Sequence, residues 1–133
     1  MQLRQLTEDE AHWLDSRLEE HDSMHLPKGS EGAVQIGVEE AGRLIAGADG
    51  QMTVGSIFYV STIFVEAEYR RKGIGRHLLE EMESRAVGLG ASIIRLDSFS
   101  WQGREFYLRL GYEIVGSYEL EAGLEEFFFM KRV

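Results

Sequence analysis

Apolar and polar positions follow two different periods along the 133-residue chain, and each period predicts a type of secondary structure. Apolar residues recur every three or four positions near 8–20 and over 75–89, which indicates amphipathic helices, and 102–110 is read as a third helix stopped by Gly111. Other segments alternate apolar and polar residues or are rich in β-branched and aromatic side chains, which favours strands. Six strands are predicted, over 33–38, 43–47, 56–65, 92–98, 112–118 and 125–132.

Turn signals separate these elements. Residues 21–32 are polar and contain the only proline, Pro27, so we expect a loop there. Ala41-Gly42 and Asp49-Gly50 are each expected to be turns, the first of them joining a hairpin.

The order of the elements predicts the fold class. Strands 56–65 and 92–98 have the helix 75–89 between them, so they should be parallel neighbours. Combined with the hairpins, this crossover predicts a mixed α/β sheet flanked by helices.

Length and composition describe an ordinary globular chain. We expect one domain over 1–133, with a core large enough to need no covalent staples. There is no cysteine, which excludes disulfides and thiolate nucleophiles. The longest apolar run, 127–130, is too short to span a bilayer and no signal pattern opens the chain, so we expect a cytoplasmic protein without membrane contact.

Charge is unevenly distributed. The net charge is −9, which argues against nucleic acid as a partner because phosphate contacts need a basic face. Four basic residues nevertheless fall within seven positions, at Arg70, Arg71, Lys72 and Arg76. This cluster indicates either a solvated turn or a site for a small anion.

Two glycines lie within the basic cluster, where strand 56–65 leads into helix 75–89. Gly73 and Gly75 allow the backbone to turn tightly and approach a ligand, and the free N–H groups of the helix start would then face one point. A diphosphate suits such a site. The patterns GxxxxGK[ST] and GxGxxG are both missing, which argues against a nucleoside-triphosphate loop and a dinucleotide fold. The alternative is a glycine-softened turn without a ligand.

The same residues make the chain similar to the GNAT (GCN5-related) N-acetyltransferases. Arg70-x-x-Gly73-x-Gly75 matches the family signature R/Q-x-x-G-x-G/A. A second segment, Phe106-Tyr107-x-x-Leu110-Gly111-Tyr112, is close to the later pattern F-Y-x-x-x-G-F/Y. The stretch 96–102 also looks like a bacterial subgroup, and the resemblance as a whole covers about 33–133.

This resemblance implies a GNAT-like fold and acetyl-CoA as co-substrate. Residues 71–76 would cradle the pyrophosphate through their N–H groups, while Ile63–Val65 would pair with the pantetheine arm between two splayed parallel strands. The implied cofactor-binding residues are Ile63, Phe64, Val65, Arg70, Arg71, Lys72, Gly73, Ile74, Gly75, Arg76, Ser100, Gly103 and Phe106.

The resemblance also implies a catalytic acid. Tyr107 would protonate the departing thiolate, a role open to a phenol, whereas the residues without the resemblance favour a tyrosine that packs in the core. The sequence departs from the family where Ser100 and Gly103 replace the common Asn and Ala.

No general base is assigned, because the central strand carries no carboxylate before Glu66. Asp97 and Glu66 could act through water, Asp97 could instead cap a turn, and the amine could enter already neutral. Trp101 could line the acceptor pocket or pack in the core.

Two functions remain open at this stage. The first is direct acetyl transfer from acetyl-CoA to a primary amine, and the second is a non-catalytic acyl-CoA-binding or protein-interaction module. Asp22, Glu31, Glu119 and Glu121 could form an acidic rim that favours a small cationic acceptor, or they could simply be a solvated acidic surface. The histidines show no metal spacing, so no metal is expected, and the aromatic segment 127–129, if it forms a sheet edge, would allow a homodimer.

Overall fold

The computed structural model describes residues 1–26 and 31–133, and it confirms the mixed sheet with flanking helices. The predicted loop 21–32 includes residues 27–30, which lie outside the described residues. The α-helices and strands are α1 (Glu8–Asp22), β1 (Ala33–Glu40), β2 (Arg43–Met52), β3 (Ile57–Val65), α2 (Ile74–Gly88), β4 (Ile93–Phe99), α3 (Arg104–Arg109), β5 (Glu113–Glu119) and β6 (Glu125–Arg132).

The strands form one sheet in the order β1-β2-β3-β4-β6-β5. All neighbours are antiparallel except β3 and β4, which are parallel as the crossover through α2 predicts. Their pairing runs only from Ile57↔Ile93 to Tyr59↔Arg95. Beyond these residues the two strands are no longer paired, and a gap opens between their C-terminal halves.

The predicted turn at Asp49-Gly50 is wrong, because β2 continues through both residues to Met52. The pairing register with β3 shifts between them, which marks a bulge instead of a turn. A Cβ atom at Gly50 would lie 2.5 Å from the Phe58 ring. Glycine is therefore needed here because the Phe58 side chain of β3 packs closely against the β2 backbone. An Asp-Gly pair in the sequence does not distinguish this role from a turn.

The segment 127–129 is not a sheet edge, so the predicted route to a homodimer is wrong. Strand β6 lies between β4 and β5, and Phe127 and Phe129 are buried in the core. The edges of the sheet belong to β1 and β5. A homodimer itself stays a prediction.

Helix α2 covers one face of β1–β3 and closes the core. Its predicted apolar stripe is buried through Leu78, Leu79, Met82 and Ala86. The opposite face of β1–β3 carries an open groove of about 500 Å³, lined in part by Thr62, Phe64 and Glu66.

Helix α1 starts at a capping box formed by Thr7 and Glu10, yet none of its residues is buried. None of the helices in the described ranges is long and apolar enough to cross a bilayer.

Candidate functional site

The loop between β3 and α2 turns through two left-handed residues. Arg71 has φ of 62° and Gly73, which caps α2, has φ of 83°. Ile74, Gly75 and Arg76 then form the first turn of the helix, where backbone N–H groups have no partner within the helix. The helix dipole adds positive potential at the same end, so the turn is suited to an anion.

The four basic side chains of the loop have different partners. Arg70 turns back to the strand, since its Nε donates to the Val65 carbonyl at 2.9 Å and its guanidinium lies 5.6 Å from the centre of the Phe64 ring. Lys72 lies over the ring of Tyr69.

Arg76 pairs with Glu80 at 2.8 Å on the exposed face of α2. Arg71 is exposed. Of the cluster, Arg71, Lys72 and Arg76 lie at or just before the helix start, whereas Arg70 braces the loop.

Gly75 joins this loop to the second motif. A Cβ atom at Gly75 would lie 3.4 Å from the ring of Phe106 and 3.8 Å from Val65. Phe106 in turn meets the Tyr107 ring edge-on at 5.1 Å. The two motifs recognised separately in the sequence are therefore in direct contact, and the glycine at 75 leaves room for that contact.

Tyr107 stands in an aromatic cluster on the α2 side of the sheet. Its ring lies 5.3 Å from that of Phe129 and 6.0 Å from that of Tyr112, and the residue is 8% exposed. Burial, reinforced by the charge of Asp97, raises the pKa of Tyr107 to about 12. The phenol is therefore protonated at neutral pH and can donate a proton but not accept one.

The Tyr107 hydroxyl is free to act on a ligand. Within the described ranges no group hydrogen-bonds to it, and no side-chain oxygen or nitrogen there is both fully buried and unpaired. The hydroxyl consequently reaches accessible space.

Residues 60–65 of β3 line the gap that opens beyond Tyr59. They pair with β2 along one side only, and among residues 1–26 and 31–133 no strand pairs with their other side, which faces β4. Ile63 and Val65 are half-buried, whereas Phe64 is exposed. An extended ligand could add to this free strand edge by backbone hydrogen bonds.

Ser100 and Gly103 lie between β4 and α3. The Ser100 N–H donates to the Glu125 carbonyl at 2.8 Å, and its hydroxyl accepts from the Glu125 N–H at 3.4 Å. Ser100 thus holds β6 beside the end of β4, a contact that the sequence did not indicate. Gly103 caps α3, and a Cβ atom there would lie 3.7 Å from the Tyr107 ring.

Asp97 lies on the exposed side of β4, close enough to Tyr107 to affect its pKa. Its Oδ2 accepts a hydrogen bond from the Tyr59 hydroxyl at 2.9 Å. The Tyr59 ring is covered by the Arg95 guanidinium at 4.3 Å. The sequence alone assigns Tyr59 no role. The predicted parallel pairing of its strand with the strand of Asp97 could have indicated that the two residues lie close together.

The remaining candidates lie further from this cluster. Trp101 is exposed and stacks on Phe99, with ring centres 5.0 Å apart. Glu66 follows β3 and lines the groove on the face away from α2.

The residues of the predicted acidic rim fall on separate elements. Asp22 ends α1 and Glu31 precedes β1, while Glu119 ends β5 and Glu121 starts the turn after it. In residues 1–26 and 31–133 no three His, Asp or Glu side chains are grouped to hold a metal ion, and the expectation of no metal stays a prediction.

Comparison with known proteins relates the chain to a family. A sequence model of the acetyltransferase (GNAT) domain matches residues 32–114. None of the curated proteins matches the sequence significantly.

Several crystal structures share the fold. An acetyltransferase from Bacillus cereus is 27% identical, with a TM-score of 0.92 over 100% of this chain and 98% of that one. A PaiA N-acetyltransferase from Thermoplasma acidophilum in complex with coenzyme A is 18% identical, with a TM-score of 0.64 over 90% and 69%. An aminoglycoside 6'-N-acetyltransferase complexed with coenzyme A is 19% identical, with a TM-score of 0.67 over 89% and 80%.

Proposed function

Because this chain belongs to the GNAT family of acetyltransferases, we propose that it transfers the acetyl group of acetyl-CoA to a primary amine. The acceptor is a small cationic amine, and Tyr107 is the general acid. The observation that carries the proposal is the direct contact of the α2 start with Tyr107 through Gly75 and Phe106, which joins an anion site to a proton donor.

The loop and the strand gap together suit acetyl-CoA. Its pyrophosphate would lie against the N–H groups of the first turn of α2, with Arg71, Lys72 and Arg76 beside it. Its pantetheine arm would follow the free edge of β3 at residues 60–65. Two proteins of the same fold bind coenzyme A, which supports this arrangement.

The reaction needs no covalent intermediate on the protein. The amine nitrogen attacks the thioester carbonyl carbon, a C–N bond forms, and the C–S bond breaks. A main-chain N–H near Val65 polarises the carbonyl oxygen. The sulfur takes the proton of Tyr107 as solvent replaces it, so that no tyrosinate accumulates, and the nitrogen loses its extra proton to a base or to water.

The raised pKa of Tyr107 determines how the proton moves. At about 12 it lies well above the value near 8.5 of an ordinary thiol, so full proton transfer to a free thiolate would be uphill. Tyr107 therefore stabilises the departing sulfur first by a hydrogen bond, and this bond strengthens as negative charge develops on the sulfur.

The first test replaces Tyr107 with phenylalanine, which removes the hydroxyl and leaves the aromatic packing in place. We expect kcat to fall by about a hundredfold or more, since general acid catalysis contributes on that order. The Kd for acetyl-CoA, measured by calorimetric titration, should stay within about twofold of the wild-type value. Activity is measured as thiol released from acetyl-CoA with a panel of amines.

The outcome separates the enzyme from a non-catalytic module of the same fold. A module binds acetyl-CoA without releasing thiol, whether or not the hydroxyl is present. Tyr118→Phe is the matched control, because it removes a hydroxyl from an exposed tyrosine on β5 and should leave kcat unchanged. A Tyr107→Phe protein with the wild-type kcat would refute the acid role.

A further inference from the structure

Near the gap between β3 and β4, each face of the sheet carries a polar side chain that can act on a ligand. Tyr107 packs on Phe129, and Phe129 lies directly opposite Leu96 in the β4–β6 pairing, so Tyr107 shares the face of Leu96. Because side chains alternate along a strand, Asp97 projects from the opposite face. A ligand in the gap would consequently meet a proton donor from one side and a carboxylate from the other.

Asp97 is held by a single side chain. The Tyr59 hydroxyl donates to its Oδ2 at 2.9 Å, and within the described ranges Asp97 takes part in no ion pair. Its other oxygen has no side-chain partner there. A carboxylate fixed through one oxygen retains the other for a ligand.

The Tyr59 ring is itself fixed in place. It is half-buried, its strand is paired with β4 at Tyr59↔Arg95, and the Arg95 guanidinium lies 4.3 Å from its centre. This pair is the last one before β3 and β4 separate. Tyr59 therefore reaches Asp97 from rigid backbone at the closed end of the gap.

We propose that Tyr59 is a positioning residue, whose hydroxyl holds one oxygen of Asp97 so that the other binds the acceptor amine. This inference rests on the proposed acetyl transfer. Asp97 accepts a hydrogen bond from the amine and takes its proton as the C–N bond forms, while Tyr107 gives its own proton to the sulfur on the other face. Asp97 then passes the amine proton to solvent and solvent returns a proton to Tyr107, so the net products are one amide and one thiol.

The geometry assigns the two faces different steps. The attacking nitrogen must lose a proton while the departing sulfur gains one, so the two atoms need separate groups. The β4 strand supplies this separation, because consecutive residues Leu96 and Asp97 face opposite sides. It also leaves the acceptor on the exposed side of the sheet.

Tyr59→Phe tests the inference, because it removes the hydroxyl that donates to Asp97 and keeps the ring. Rates are measured as thiol released with 1,4-diaminobutane, tryptamine and lysine amide, and the most active amine is used throughout. We expect kcat/KM for that amine to fall about 10- to 100-fold, the range for losing a hydrogen bond to a charged group. The Kd for acetyl-CoA should not change, because the loop and the β3 edge are unaltered.

A double-mutant cycle distinguishes positioning from general structural support. Asp97→Asn should lower kcat/KM at least as much as Tyr59→Phe. If Tyr59 acts through Asp97, the double variant is no slower than Asp97→Asn alone. Tyr118→Phe, which lies beside Glu126 on the same sheet, serves as the control and keeps the wild-type rate.

Each failure has its own signature. A Tyr59→Phe protein with wild-type kcat/KM, or one whose effect multiplies with that of Asp97→Asn, overturns the positioning role alone. A wild-type protein that binds acetyl-CoA yet releases no thiol with all three amines overturns the proposed function and this inference together.

Discussion

At the scale of single residues, burial gives two tyrosines properties that a tyrosine in water lacks. Tyr107 has its pKa raised to about 12, chiefly by desolvation. The pKa of Tyr112 is raised further still by burial and by the neighbouring Glu83 carboxylate, to which its hydroxyl donates at 2.9 Å. Both phenols keep their protons in the folded protein at pH values where a free tyrosine ionises.

The raised pKa of Tyr107 predicts a loss of stability in alkali. The folded chain holds this proton more tightly than the unfolded chain, so the stabilisation is complete below pH 10 and declines as pH rises from 10 to 12. At about 1.4 kcal/mol per pKa unit, Tyr107 accounts for up to about 2 to 3 kcal/mol of that decline. Urea unfolding of wild type and Tyr107→Phe between pH 9 and 12 measures it.

The free energy of unfolding of the wild type should fall more steeply with pH over this interval than that of Tyr107→Phe. Tyr112, which is present in both proteins, should cause part of the fall in each. Parallel curves for the two proteins would contradict the assignment of the raised pKa to Tyr107.

At the scale of elements, the turn between β3 and α2 depends on backbone conformation as much as on charge. Gly73 has φ of 83°, which L side chains adopt only with strain, and it caps the helix whose N–H groups face the proposed pyrophosphate. Gly42, in the turn between β1 and β2, has φ of 75° and open space around it. The two glycines share a conformation, but only Gly73 lies at the proposed site.

Gly73→Glu and Gly42→Glu form a matched pair of variants. Each should cost about 1 to 2 kcal/mol of stability, the usual penalty for a side chain in the left-handed region. Only Gly73→Glu should lose binding of acetyl-CoA, because its carboxylate would stand where the pyrophosphate lies. Calorimetric titration and urea unfolding of both variants measure the two effects, and unaltered affinity in folded Gly73→Glu would refute the location of the site.

At the scale of the whole molecule, one ion pair ties α2 to the C-terminal strand. Lys131 on β6 donates to Glu83 of α2 at 3.0 Å and to the Leu110 carbonyl at 2.9 Å. Side-chain exposure is 28% for Lys131 and 13% for Glu83, so solvent screens this pair only partly. The exposed pair Glu81–Arg85 on the same helix offers a contrast.

Glu83→Gln should destabilise the fold by about 1 to 3 kcal/mol, because it leaves the Lys131 charge without a counter-ion in a half-buried place. Glu81→Gln should change stability by less than about 0.5 kcal/mol, as is usual for surface pairs. Urea denaturation midpoints at pH 7 give both values. Equal effects of the two substitutions would show that Glu83 contributes no more than a surface charge.

The sequence by itself determined the local elements and the two motifs. Helical periodicity predicted the buried stripe of α2 from Leu78 to Ala86, and the glycine spacing located the loop at 70–75. These features are readable because they depend on residues a few positions apart, whose periodicity and backbone freedom are local properties. The crossover rule extended the prediction to the parallel pair β3 and β4.

Only the tertiary structure decided which of these residues meet. The contact of Gly75 with Phe106, the hydrogen bond from Tyr59 to Asp97 and the interior place of β6 join residues that are about 30 or more positions apart or depend on strand order. Gly50 shows the same limit, since a glycine that turns the chain and one that admits a Phe ring look alike in sequence. Local preferences are compatible with several arrangements of the same helices and strands. Packing between residues far apart in the sequence selects one of them, and that arrangement brings the site residues together.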